Sequence, residues 1–331
     1  MFRKRMLVSA VLAALTICAV TASAASSGGP PGQSTAKLVF SGLGGGSGST
    51  VGPRGDLYVT DTVNGKILRV DPRTGAATTF ADCLPKQIVG LGGAMDVAFR
   101  GDTAYALVTL VDSQLGGHDV DGIYRIDGRH TCKVVADIGA WAIAHPPCCF
   151  DFFVLSGVQY AMEPYHHGFL VTDGHHNRVL KVRLDGSISE LRAFGDIVPT
   201  GLARDGRTIY MAEAGPVPHL PEDGKVVSFE AKSPTVKDVA AGGRLLVDVE
   251  LGRGQAIFAL AQGHFTPGHD PGTPADPDTG QLLEVDRHGG FSVVASGLDR
   301  PTSLEVVGDT AYVVTLDGEI WKVDHIGGRS H

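Results

Sequence analysis

The chain is 331 residues long and 43% hydrophobic, enough to bury a large core in one big domain or two ordinary ones. Only 19% of residues are charged and 45 are glycine, about twice the usual share, which points away from coiled coils and helical bundles and toward many short strands joined by tight turns. The formal net charge is −8 with no basic cluster beyond residue 5, which argues against nucleic-acid binding and against docking on anionic lipid.

The amino terminus reads as an export signal. Arg3, Lys4 and Arg5 form a basic cap, residues 6–22 are an apolar run, and Ala22-Ser23-Ala24 supplies small residues for cleavage. Residues 1–24 are therefore expected to be a signal peptide, and the mature protein to be secreted with no membrane span. The run is slightly short for a spanning helix. Ile17 stands where a lipoprotein has a small residue before its cysteine, Cys18. Cleavage removes three basic and no acidic residues, so the net charge of the mature chain becomes −11. Residues 25–36 are expected to be a flexible mature terminus, 37–327 one folded domain and 328–331 a tail.

The rest of the chain repeats itself, in the manner of propellers and solenoids. A β-prone run ending on a polar residue recurs six times, closing at Asp71, Asp127, Arg183, Glu230, Asp286 and Asp324. The spacings are 56, 56, 47, 56 and 38 residues. A second strand precedes each run, after turns that contain Gly55, Gly101, Gly168, Gly206, Gly254 and Gly308. Inner strands are expected at 95–99, 158–162, 200–204, 247–250 and 302–306, and outer strands at 77–81, 133–137, 189–192, 236–240 and 291–295. Four short strands per repeat predict an all-β, six-bladed β-propeller with four antiparallel strands in each blade. After Asp324 too few residues remain for a fourth strand. Val39-Phe40-Ser41-Gly42-Leu43 matches Val294-Ala295-Ser296-Gly297-Leu298, the end of blade five's outer strand. Residues 37–41 are thus expected to complete blade six and close the ring.

The segments 59–67, which contains Thr60-Asp61-Thr62, and 171–179, which contains Thr172-Asp173-Gly174, are similar to NHL-type propeller repeats. From about 37 to 324 the chain resembles the ScyD/ScyE family of exported propellers, through Gly93-Ala94-Met95-Asp96-Val97-Ala98-Phe99, Val198-Pro199-Thr200-Gly201-Leu202-Ala203 and Val247-Asp248-Val249. The resemblance implies fold and export. Most members have no assigned biochemical activity. Two departures are the Gly-rich 43–50, in place of a more apolar inner strand, and Tyr165-His166-His167-Gly168, in place of an Asp-Gly turn.

In a propeller the loops that join second to third strands and fourth to first strands share one face, here the top. Asp61, Asp173 and Glu213 end second strands, so they are expected at the top mouth of the channel, where carboxylates could bind a hard cation. The ordinary alternative is that each caps its own loop. Asp96 and Asp248 match each other on the inner strands of opposite blades two and five. They are candidates for a metal or for activating water, or else for bonding backbone between blades. His175 and His176 share a top loop and could ligate zinc or copper, as could His264 and His269; solvated loop residues are the plainer alternative. Residues 263–280, rich in proline and aspartate, form a long top-loop insertion. Gly-x-Ser-x-Gly elbows and Cys-x-x-Cys pairs are absent, and Arg54-Gly55-Asp56 and Arg100-Gly101-Asp102 coincide with ordinary turns.

The resulting reading is a non-enzymatic monomer without cofactor that binds an unidentified ligand or protein on its top face. The alternative is a metal-dependent hydrolase or lyase, resembling gluconolactonase-type or streptogramin-lyase propellers, with channel carboxylates holding Ca²⁺ or Zn²⁺. Strand direction also orders the cysteines. Cys83, Cys148 and Cys149 fall in top loops and Cys132 at the bottom, so Cys83 is expected to bridge to Cys148 or Cys149, with a vicinal Cys148–Cys149 bond second and Cys132 free.

Overall fold

Six four-stranded antiparallel sheets are laid down in chain order in a computed structural model that describes residues 34–148, 152–270 and 272–326. The expected signal peptide 1–24, residues 25–33, the tail 328–331 and Cys149 lie outside the described residues. The first strand of each blade faces the axis: Gly46–Val51, Gly93–Arg100, Gln159–Tyr165, Pro199–Asp205, Leu246–Leu251 and Pro301–Val307. These strands contact one another in cyclic order, one to six and back to one, which defines the ring. The Gly-rich stretch of blade one is a strand like the others, since glycine there admits the close approach of Asp96 to Gly48.

The ring closes as the repeat predicts. Ala36–Ser41 pairs antiparallel with Glu319–Asp324, and so supplies the outer strand of blade six. Each blade presents apolar side chains on both faces, as a sheet packed between two neighbours must. The buried apolar residues accordingly fall into six clusters, one at each blade junction. Polar staples near the axis join the same junctions. The Thr200 hydroxyl donates to Leu246 O at 2.9 Å, Thr172 to Thr200 O at 2.7 Å, and Ser49 and Ser303 share a hydrogen bond of 2.9 Å. A net value of about 1 kcal/mol for each such bond makes them orienting devices beside the apolar burial.

Two features depart from expectation. Ile138–Ala144 is a short helix where no helix is expected; the carboxylate of Asp137 caps it by accepting from Ala140 N at 2.8 Å. The cysteine pairing is a correction: Cys83 is bonded to Cys132, with Cα atoms 5.6 Å apart, and Cys148 is a free, exposed thiol. The expectation treated outer strands as parallel to the axis. Twist of roughly 20–25° per strand pair accumulates across a blade and swings the outer strand round toward the next blade. In blades one, three and four the end of the outer strand therefore meets the third-to-fourth-strand turn of the next blade. Asp82 N donates to Arg129 O at 2.8 Å, Ala241 N to Gly289 O at 3.0 Å, and Arg192 to Pro234 O at 3.1 Å. Cys83 and Cys132 occupy this recurrent contact between blades one and two.

Candidate functional site

The axis holds a cavity of about 40 Å³ to which all six blades contribute, room for only a few waters. Tyr160 of blade three crosses it, and its hydroxyl donates to Thr302 O of opposite blade six at 3.0 Å. Asp96 and Asp248 line the cavity as the repeat predicts. Each is a bridge between blades: Asp96 accepts from its own neighbour Val97 N and from Met162 N of blade three, both at 2.7 Å. Asp248 accepts from Val249 N at 2.9 Å and Leu304 N of blade six at 2.8 Å. Opposite each stands a glycine of the preceding blade, Gly48 and Gly201, where a Cβ would lie 2.4 and 2.3 Å from the carboxylate. Blades one to three and four to six are thus related by an approximate two-fold. Burial pushes Asp248 up to about 7 and Asp96 well above the usual carboxylate range, against the pull of the amide donors.

Lower on the inner strands lie Glu163, Glu250 and Glu305. Burial pushes Glu163 up to about 7, with Arg204 opposing, its Nε 3.8 Å from the carboxylate. Glu250 and Glu305 are raised well above the usual carboxylate range, by burial and by the other axial carboxylates. Carboxylates raised in this way tend to hold protons near neutral pH. Among the described residues no three His, Cys, Asp or Glu side chains converge as metal ligands.

The other predicted residues stand apart from this cavity. Asp61 caps its own loop, accepting from Asn64 N at 3.2 Å and Asn64 Nδ2 at 2.9 Å. Asp173 is fully buried and accepts from Val158 N at 3.1 Å, from Arg178 Nε at 3.0 Å and from His176 Nδ1 at 2.9 Å. Gly157 takes φ +77° so that this carboxylate can sit against it. Arg178 also donates to His145 O at 2.8 Å and lies over the Trp141 ring, so the Asp173 network ties His145, Val154 and Val158 to blade three. His175 packs edge-on against Phe152 and Phe153, and burial lowers its pKa to about 4. Glu213 is buried beside Lys225, and burial raises it to about 7. In the insertion 262–279, His264 pairs with Asp276 at 2.8 Å, Phe265 and Ala275 are buried, and Gly272 reaches Leu91 in the loop between blades one and two.

What sequence reasoning missed is the surface of these loops. Among the described residues fourteen large hydrophobic side chains are exposed, and nine of them stand on top loops. Phe153 is 77% exposed, Leu155 52% and Ile143 46%, beside Ile88, Val89 and Leu91. The bottom face offers instead a shallow groove of about 480 Å³ between blades two and three, lined by Phe99, Arg100, Tyr105, Pro164 and Leu184.

The chain is similar in fold to a gluconolactonase from Xanthomonas campestris, with 11% identity over 87% of this chain and 89% of that one and a TM-score of 0.61. It is similar to virginiamycin B lyase from Staphylococcus aureus, with 12% identity, coverage of 88% and 98% and a TM-score of 0.52. It is also similar to a chain of a nidogen/laminin complex, with 14% identity, coverage of 80% and 88% and a TM-score of 0.54. No protein-family model and no curated protein sequence matches it. At these identities the likeness is one of fold, and it leaves the narrower ScyD/ScyE resemblance without further support. Among the described residues no helix is long and apolar enough to cross a membrane.

Proposed function

We propose that the chain is an exported propeller that binds a ligand or partner through the loop face above blades one to four. The observation that carries this reading is the crowding of exposed apolar side chains onto that face, where soluble surfaces usually scatter them singly. The axial cavity, at about 40 Å³, falls far below the roughly 300–1,000 Å³ of ligand pockets, and Tyr160 closes it. The neutral apolar dye Nile red tests the reading: it should fluoresce on the native protein and lose most of its signal with Phe153→Ser and Leu155→Ser together. Equal signal from that variant contradicts it.

A hydrolase or lyase is the second reading, and the comparisons favour it, since gluconolactonase and virginiamycin B lyase stand among the similar structures. Asp248 and Glu163, both near 7, have the acidity a general acid or base needs. A substrate would have to displace Tyr160, and a resident cation would need the axial carboxylates to draw together. Turnover of a gluconolactone or of virginiamycin B in the presence of Ca²⁺, Mg²⁺ or Zn²⁺, abolished by Asp248→Asn, would establish this reading over the first.

A further inference from the structure

The charge of this protein is distributed as unevenly as its apolar surface. Among the described residues the twelve top loops carry twelve Asp or Glu and three Lys or Arg, a net −9. The eleven bottom loops carry six acidic and seven basic residues, a net +1. Nearly all the excess negative charge thus lies on the face that bears the exposed apolar side chains. Asp119, Asp196, Glu222, Asp270 and Asp278 are exposed around it, and none of the five has an ion-pair partner among the described residues, while Asp317, also exposed, pairs with Arg300 at 2.7 Å.

The apolar side chains are carried on loops that touch in sequence. Ile88 Cδ1 comes within 2.9 Å of where a Cβ on Gly117 would stand, so the loop entering blade two rests on the next loop of that blade. Gly139 of the helix packs on Asp121 of the same loop, and Phe153 rests on His175 with ring centroids 4.5 Å apart. Gly139 also packs on Ser156, so the exposed side chains stand on neighbouring loops of blades one to three. A small inorganic cation would leave the apolar part of this surface in water, and an anionic membrane would be repelled by its charge. A polypeptide that is apolar on one side and basic on the other satisfies both parts.

We infer that this face docks a basic, amphipathic segment of a partner protein, its apolar side on Ile88, Leu91, Ile143, Phe153 and Leu155 and its Lys or Arg side chains over the acidic rim. The inference rests on the proposed binding function and narrows it to one partner chemistry.

The test is calorimetric titration of the purified protein with an eighteen-residue peptide of Leu and Lys patterned as an amphipathic helix. Controls are a scrambled peptide of the same composition and a Leu/Glu counterpart. Micromolar binding of the patterned Leu/Lys peptide is expected, weakening at least tenfold from 20 to 300 mM salt as the Debye length contracts. Phe153→Ser with Leu155→Ser should weaken it at least tenfold again, whereas Leu184→Ser on the bottom face should change it less than twofold. Thermal melts confirm that both variants fold. Equal binding of the scrambled peptide, or tighter binding of the Leu/Glu peptide, overturns the inference. If that Leu/Glu binding is lost in the top-face variant, the binding function itself stands. No peptide binding that responds to the top-face variant overturns both. Tight binding to neutral phosphatidylcholine vesicles in place of the peptide overturns the inference in favour of a lipid surface.

Discussion

Breaking the Cys83–Cys132 bond should destabilise the propeller by an amount set by the chain it closes. The two cysteines are 49 residues apart, and a loop of that length corresponds to about 4 kcal/mol in the chain-entropy account. Spread over roughly 290 ordered residues, that loss lowers the melting temperature by about 6–7 °C. The contact itself survives in part, because Asp82 N still donates to Arg129 O and the apolar neighbours Phe80, Phe99 and Val120 remain. Cys132→Ser and Cys83→Ser should therefore each give the same loss, and the double variant no more than either, as expected for one shared interaction. Calorimetric melts of the three variants, alongside Cys148→Ser, measure this directly. Non-reducing peptide mapping should recover a peptide joining 83 to 132. A melting temperature unchanged in Cys132→Ser, or lowered equally in Cys148→Ser, refutes both the pairing and the description of outer strands swung onto the neighbouring blade.

Three further outcomes follow from particular contacts. Arg178→Ala removes the cation that faces fully buried Asp173, and should cost about 3–5 kcal/mol, seen as a lowered melt and as faster amide exchange across 152–158. Asp248, Glu163 and Glu213 are raised to about 7, so folding takes up protons around neutrality, and the melting temperature should rise from pH 8 to pH 6.5. Below that the neutral His175, lowered to about 4, works in the opposite sense; a melt that falls between pH 8 and 6.5 contradicts the assignment of buried carboxylates. Deleting residues 34–43 removes the strand Ala36–Ser41 and exposes the edge of Glu319–Asp324, so the protein should aggregate or melt far lower, as light scattering and calorimetry will record.

The fold was legible because a propeller writes each blade separately. Inner strands expected at 200–204 and 247–250 lie within Pro199–Asp205 and Leu246–Leu251. The closing strand could be read from the likeness of Val39-Phe40-Ser41 to Val294-Ala295-Ser296. Asp96 and Asp248 emerged from the same comparison of blades, whereas Glu163, Glu250 and Glu305 did not, although they hold one register position in blades three, five and six, opposite Leu170, Phe258 and Tyr312. That Tyr160 reaches Thr302 depends on closure of six blades around an axis, a distance no local pattern encodes. The disulfide was misread for a related reason: assigning loops to a top or bottom by strand direction ignores twist, which at the rim brings the two ends of adjacent blades together. The apolar and acidic character of the top face is a sum over loops distant in sequence, visible only once their common side is known.

Fragment screening by crystallography bears most directly on the central claim, since it needs no knowledge of the natural ligand. A library of small apolar and cationic compounds soaked into crystals should place most of its bound members on the top loops, against Ile88, Leu91, Ile143 and Phe153. Binding concentrated instead at the axis, with Tyr160 displaced, or in the groove beside Arg100 and Leu184, would contradict the account.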